Sequence, residues 1–152
     1  RSKSTIIKIN NHIFTHGGIS ENFLAYEKFN IDNINYKMRE SIPLLKELRK
    51  NRKDEKGSSF YEVYFGSESL IWYRGYFTEN LTDIEISKIL KTVEADHIIV
   101  GHTSNTRVLQ FYNSKIIGVD SSIKNGEYGE LLIIDNNQFF RGTLKGELLK
   151  LN

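Results

Sequence analysis

The sequence has 152 residues and a mass of 17.7 kDa, the size of one ordinary domain. Hydrophobic residues make up 39% and charged residues 26%, a balance that excludes both a disordered chain and a membrane protein. Lys and Arg number 21 against 19 Asp and Glu, so the near-balance of charge argues against a nucleic-acid binder. The absence of cysteine excludes disulfides, thiolate zinc sites and a cysteine nucleophile.

The first 30 residues predict a β-hairpin followed by a helix. Apolar residues indicate two strands, at about 5–9 and 12–15. The two asparagines at 10–11 are typical of a hairpin turn, because Asn readily adopts a positive φ. Ser20 then provides a suitable N-cap for a helix at about 21–29.

The middle of the sequence predicts further helices and a solvated loop. Asp32 begins a second helical stretch. Pro43 predicts a kink or a restart there, because proline cannot sit in an undisturbed helix interior. The helix should continue to about Asn51. The charge-dense segment 49–57 is interpreted as a surface loop rather than a nucleic-acid patch, since it lacks aromatic residues. Residues 60–65 are aromatic and fit either a helix or a strand.

The last part of the sequence predicts one more helix and then a run of strands. Thr82 and Glu85 form a capping box that opens a helix to about Glu94. Residues 97–100 are typical of a buried strand. Further strands are predicted at 107–112, 115–119, 130–135 and 138–142. No repeat or linker divides residues 1–152, so we expect a single unit of the mixed α/β (α+β) class, with helices in the first two-thirds and a β-meander in the last third.

Two histidines follow predicted strands in a similar sequence context. His16 ends one strand and precedes two glycines, and His102 follows the strand at 97–100 and one glycine. Glycine lets the backbone approach a metal or a phosphate closely, and two neutral imidazoles at strand ends suit one metal ion. The alternative for either residue alone is a loop histidine that bonds to the backbone.

An arginine among aromatic residues is the third candidate. Arg74 lies in the segment 72–76, which reads Trp-Tyr-Arg-Gly-Tyr. An arginine held in this way can offer a bidentate fork to a phosphate. The alternative is an arginine that packs on a surface aromatic cluster through cation–π contacts.

These segments, in this order, resemble the C-terminal half of the calcineurin-like metallophosphoesterases. The matching motifs are His-Gly-Gly-Ile-Ser at 16–20, Trp-Tyr-Arg at 72–74, Ile-Val-Gly-His-Thr at 99–103 and Ile-Gly-Val-Asp at 117–120. The resemblance spans about residues 5–135 and is nearest the Shewanella-like branch, close to the phosphoprotein phosphatases. It implies half of a four-layer α/β/β/α metallo-dependent phosphatase fold.

The resemblance also implies a chemistry. His16 and His102 would ligate the second of two divalent metal ions, which would be Mn, Fe or Zn. Arg74 would orient the phosphate. The implied reaction is hydrolysis of phosphomonoesters by a hydroxide that the two metal ions activate, with a phosphoprotein or a nucleotide as substrate. Neither His12 nor His97 matches a ligand position, and both are interpreted as structural.

The sequence departs from the family in one respect. The family's N-terminal motifs, Gly-Asp-x-His, Gly-Asp-x-x-Asp-Arg-Gly and Gly-Asn-His-Asp/Glu, do not occur. We therefore expect the chain to be inactive alone, to have the missing N-terminal half of the domain as its partner, and to expose apolar side chains near the strands of His16 and His102. Asp120 should lie near the cleft, although it matches no ligand. No nucleic-acid or membrane partner is expected. The alternative function is a non-catalytic β-rich module that binds a peptide or another ligand.

Overall fold

The computed structural model describes residues 3–50 and 60–151. Asn51 and most of the predicted loop at 49–57 lie outside the described residues. The strands are β1 (Ile6–Ile9), β2 (His12–Thr15), β3 (His97–Val100), β4 (Leu109–Phe111), β5 (Ile116–Gly118), β6 (Glu130–Asp135), β7 (Gln138–Thr143) and β8 (Leu148–Lys150). The α-helices are α1 (Glu21–Tyr26), α2 (Ile31–Ser41), α3 (Leu45–Lys50), α4 (Phe60–Phe65), α5 (Gly75–Thr78) and α6 (Asp83–Thr92). Short 3-10 turns cover Ile42–Leu44 and Ile123–Asn125.

A five-stranded mixed sheet forms the centre of the structure, with strand order β1-β2-β3-β5-β4. The pairs β2–β3 and β3–β5 are parallel, whereas β1 and β4 pair antiparallel at the two edges. Thr15 at the end of β2 is in register with Val100 at the end of β3. Because parallel strands place their carboxyl ends at one edge of a sheet, the residues that follow these two strands meet there.

The central sheet is covered on both faces. One face packs against the helices, and the buried Ile13, Ile98 and Ile116 share a core cluster with Phe23 of α1 and Ile89 of α6. The other face packs against the three-stranded antiparallel meander β6-β7-β8. A smaller cluster joins these two sheets through Ile99, Val108, Ile117 and Phe139. The result is three layers of helices, mixed sheet and small sheet.

This architecture confirms the predicted mixed α/β class and the meander in the last third. The capping box is also confirmed, because Thr82 Oγ1 accepts from Glu85 N and the Glu85 carboxylate accepts from Thr82 N at 2.7 Å. The aromatic segment at 60–65 is helical, and Pro43 lies in a 3-10 turn between α2 and α3, as the predicted restart requires.

One helix end was predicted wrongly, and two short elements were missed. The first helix ends at Tyr26 rather than at 29. Glu27 is extended and buried, and its carboxylate accepts hydrogen bonds from Tyr64 Oη at 2.8 Å and Lys37 Nζ at 2.7 Å. These contacts turn the chain inward and end the helix. The short elements α5 and β8 were not predicted at all.

Apolar side chains are open to solvent beside β2, as expected for the strand of His16, whereas the two strands that flank β3, the strand of His102, are largely buried. Ile7 and Ile9 of β1 are 40% and 52% exposed, and they pair with Phe14 and His12 of β2. Among the described residues, none of the helices combines the length and the apolar character needed to cross a bilayer.

Candidate metal and phosphate site

His16 and His102 meet at the carboxyl edge of the central sheet. His102 Nδ1 lies 3.0 Å from His16 Nε2, and the ring centroids are 4.8 Å apart with planes at 58°. The backbone holds the two loops together, because Gly101 N donates to His16 O at 2.9 Å. One imidazole nitrogen donates to the other in this arrangement, so at least one of these facing nitrogens offers a lone pair.

His102 adopts an uncommon backbone conformation. Its φ is 59°, in the left-handed region where residues other than glycine are rare. The surrounding loop fixes it: Thr103 N donates to Gly101 O at 2.6 Å, and Arg74 Nη1 donates to His102 O at 3.2 Å. The Trp72 ring stands almost perpendicular to the imidazole, with centroids 5.1 Å apart. Strain of this kind clusters at functional sites.

The surroundings of His102 favour its neutral form. Burial lowers the pKa of His102, and the positive charge of Arg74 and the neighbouring His16 lower it further, while Asp120 opposes them. Its Nε2 atom is buried without a hydrogen-bond partner in the described part of the chain. A neutral imidazole is the form that binds a metal ion, so this environment suits a ligand.

Arg74 reaches the same loop. Its exposed guanidinium donates from Nη1 to His102 O and, at 3.3 Å, to Thr103 Oγ1. Among residues 3–50 and 60–151 it forms no ion pair with a carboxylate. Its aromatic neighbours Tyr73 and Tyr76 are buried in the core, 4% and 2% exposed. Arg74 itself therefore points away from the aromatic cluster and towards the histidine loop.

Gly17 explains why the arginine segment lies so close to His16. Gly17 N donates to Leu70 O at 2.7 Å. A Cβ atom at Gly17 would lie 2.8 Å from the backbone carbonyl of Ile71 and 2.9 Å from Tyr73 N, closer than real Cβ contacts allow. Glycine at this position thus permits the contact that places Trp72 and Arg74 beside the histidines.

The Asp120 carboxylate forms hydrogen bonds with the neighbouring loops and not with the imidazoles of His16 and His102. Its carboxylate accepts from Ser104 Oγ and from Ser122 N, each at 2.9 Å. Its backbone carbonyl accepts from Asn105 N at 2.7 Å. The described residues contain no cluster of three or more His, Cys, Asp or Glu side chains able to hold a metal ion. The pair of His16 and His102 thus offers two candidate ligands, fewer than a complete metal site requires.

The other two histidines lie at the opposite end of the same strands. His12 and His97 begin β2 and β3, face each other in register with ring centroids 5.1 Å apart, and pack against Phe139. The structural role inferred for them from the sequence stays a prediction. Sequence reasoning gave no role to Trp72 and Thr103. The available signals were that Trp72 is the only tryptophan and that Thr103 directly follows His102.

Known proteins with related sequences and structures are phosphatases. No protein-family model matches the chain. Shewanella-like protein phosphatase 1 of Plasmodium berghei (strain Anka) is 32% identical over 103 residues, which cover 64% of this chain and 26% of that protein. The cold-active protein tyrosine phosphatase of a psychrophilic Shewanella species is 39% identical, with a TM-score of 0.89, over 99% of this chain and 44% of that one. A second structure of a cold-active protein tyrosine phosphatase, at 1.1 Å, gives a TM-score of 0.85 at 39% identity, over 99% of this chain and 43% of that one.

These comparisons support a phosphatase family for the chain. The chain spans about a quarter of the length of the curated relative and less than half of the solved structures.

Proposed function

We propose that this chain supplies part of the active site of a metal-dependent phosphatase of the calcineurin-like type. The observation that carries the proposal is the meeting of His16 Nε2 and His102 Nδ1, at 3.0 Å, beside the exposed guanidinium of Arg74. Two facing imidazole nitrogens next to an arginine that forms no ion pair among the described residues suit a metal ion together with a phosphate anion.

The histidine pair fits one divalent ion. Two Zn–N bonds span at most about 4.1 Å between their nitrogens, and the observed separation lies within that reach. The lowered pKa of His102 favours the neutral imidazole, as a ligand requires. His16 and His102 would hold one Mn, Fe or Zn ion, one of two in the complete site. When bound, such ions supply Lewis-acid polarisation of the phosphoryl group and make water more acidic.

Arg74 would bind and orient the phosphate. Two of its contacts, with His102 O and Thr103 Oγ1, hold the guanidinium in place while its remaining N–H groups stay available. A planar fork fixed in this way matches two phosphate oxygens and stabilises charge that develops on them. Trp72 shields one side of the His102 ring from water.

The proposed substrate is a phosphoprotein. The similarity to cold-active protein tyrosine phosphatases at 39% identity favours phosphotyrosine over a nucleotide. The missing ligands and the general acid would come from the N-terminal half of the domain, so the 152 residues alone should not turn over substrate.

The test is hydrolysis of a phosphotyrosine peptide by the longest natural chain that contains this sequence. Activity should depend on added Mn²⁺ and disappear with a chelator. His102→Gln should lower kcat/KM by about a hundredfold or more, because even partners of metal ligands cost about 10–100-fold. His97→Gln, the same change at the other end of the sheet, should retain most activity. Activity that resists chelation, or that survives His102→Gln, would contradict the proposal. A chain without activity or metal binding would favour the non-catalytic binding module.

A further inference from the structure

A groove opens along the segment that carries Trp72 and Arg74. Its volume is about 490 Å³, and it is lined by residues 65–68 together with Trp72, Tyr73, Arg74, Gly75, Thr78 and Glu79. Trp72 and Arg74 line this groove and also contact His102. A phosphate held by Arg74 would therefore have the rest of its molecule at the mouth of the groove.

The groove has an aromatic wall. Trp72, the only tryptophan of the chain, is 51% exposed and lines the groove together with Phe65. An exposed indole attracts a cation over its ring and packs well against an aliphatic side-chain stem. This wall can accept a long, positively charged side chain.

The charge of the groove is negative away from Arg74. Glu68 and Glu79 line it, and neither forms an ion pair with a cation within the described residues. Tyr73 Oη donates to Glu79 Oε2 at 3.4 Å. Burial raises the pKa of Tyr73, and Glu79 and Glu68 raise it further, so both carboxylates act on the same point of the groove.

We propose that this groove binds a Lys or Arg side chain of the substrate peptide, near its phosphorylated residue. The inference rests on the proposed function, because it assigns a flanking-sequence preference to the same site. The aliphatic stem packs against Trp72 while the terminal charge lies between Glu68 and Glu79. An acidic side chain in the same place is repelled by both carboxylates.

The fluorescence of Trp72 reports peptide binding to the groove. Peptides with phosphotyrosine and with Lys, Ala or Glu at the neighbouring positions are titrated into the 152-residue chain, and the fluorescence of the single tryptophan gives each Kd. Unphosphorylated versions of the three peptides are titrated in parallel. Neither titration needs catalytic turnover, so the inactivity expected of the chain alone does not affect them.

The Lys peptide should bind about three- to tenfold more tightly than the Ala peptide, as expected for two partly exposed ion pairs. The advantage should shrink when salt is raised from 50 mM to 500 mM. It should disappear in the double variant Glu68→Gln and Glu79→Gln, which keeps the size of both side chains and one acceptor oxygen in each but removes their charge. Glu40→Gln, an exposed carboxylate on α2 outside the groove, is the matched control and should leave the advantage intact.

Equal affinities for the Lys, Ala and Glu peptides would overturn the inference, as would a Lys preference that survives the double variant. Tighter binding of a nucleoside monophosphate than of the Lys peptide would also overturn it. A different result would count against the proposed function itself: if the site does not bind phosphate, phosphorylated and unphosphorylated peptides should bind with equal affinity. The ratio of Lys to Ala affinity within the unphosphorylated set still tests the groove in that case.

Discussion

Replacement of His12 by Phe should make the stability of the protein less sensitive to acid. His12 is only 4% exposed, and both of its ring nitrogens lack hydrogen-bond partners in the described part of the chain. Its neighbours are the rings of His97 and Phe139, at centroid distances of 5.1 and 5.5 Å. A phenyl ring satisfies the same aromatic contacts without burying a polar atom.

The magnitude follows from two opposing effects. A buried polar group without a partner costs about 1–3 kcal/mol, and a larger ring in a packed site costs a similar amount when neighbours must shift. Near neutral pH the two effects partly cancel, so His12→Phe should change the free energy of unfolding by less than about 2 kcal/mol.

The pH dependence is sharper. Burial lowers the pKa of His12, nearby His97 lowers it further, and Asp96 opposes them. The unfolded chain therefore binds more protons below the ordinary histidine pKa, so stability is fully present above about pH 6.5 and is lost as the pH falls. One such group costs at most about 1.4 kcal/mol per pH unit, so the advantage of His12→Phe should grow by up to about 2 kcal/mol between pH 7 and pH 5.

Urea unfolding of the unsubstituted protein and of His12→Phe, at half-unit steps from pH 5 to pH 8, measures the difference in their free energies of unfolding. Subtraction of the two curves removes the contribution of His102, whose pKa is also lowered and which both proteins share. Parallel curves, with the same difference at every pH, would refute the reasoning because they would show that His12 does not resist protonation.

Three further changes test the site and its support. Arg74→Lys should weaken the binding of inorganic phosphate to the metal-loaded chain by about tenfold, since Lys lacks the planar fork, and equal affinities in calorimetry would count against the phosphate role. Gly17→Ala should lower the free energy of unfolding by about 1–3 kcal/mol, because its Cβ would lie 2.8 Å from the backbone of Ile71, and a change below about 0.5 kcal/mol would show that this contact relaxes freely. Thr82→Ala should cost about 1 kcal/mol through loss of the N-cap of α6, whereas Thr82→Ser should cost little, and equal losses in urea unfolding would disprove the capping explanation.

Local patterns in the sequence predict most of the framework because they act over a few residues. The apolar residues at 97–100 indicate a buried strand, and Thr82 and Glu85 indicate a helix start, and both features are present in the structure. The extent of the first helix was mispredicted because Glu27 is held by Tyr64 and Lys37, which are distant in sequence.

The elements that the sequence does not reveal depend on long-range contacts. Strand β8 has exposed leucines and no alternation, and its strand conformation comes from pairing with β7. The position of Trp72 beside His102 depends on the close approach of Gly17 to Ile71, which no local pattern encodes. The candidate ligands were chosen from the repeated strand-end context and from a family resemblance. Their meeting at 3.0 Å is a property of the parallel register of β2 and β3.

The central claim is that His16 and His102 together bind one metal ion. The chain has four histidines, so imidazole ¹⁵N NMR can resolve each of them during a Zn²⁺ titration. If both residues bind one ion, the resonances of His16 Nε2 and His102 Nδ1 should shift together and saturate at one ion per chain. The imidazole resonances of His12 and His97 should not shift. Independent saturation of His16 and His102, or shifts spread over all four histidines, would contradict it.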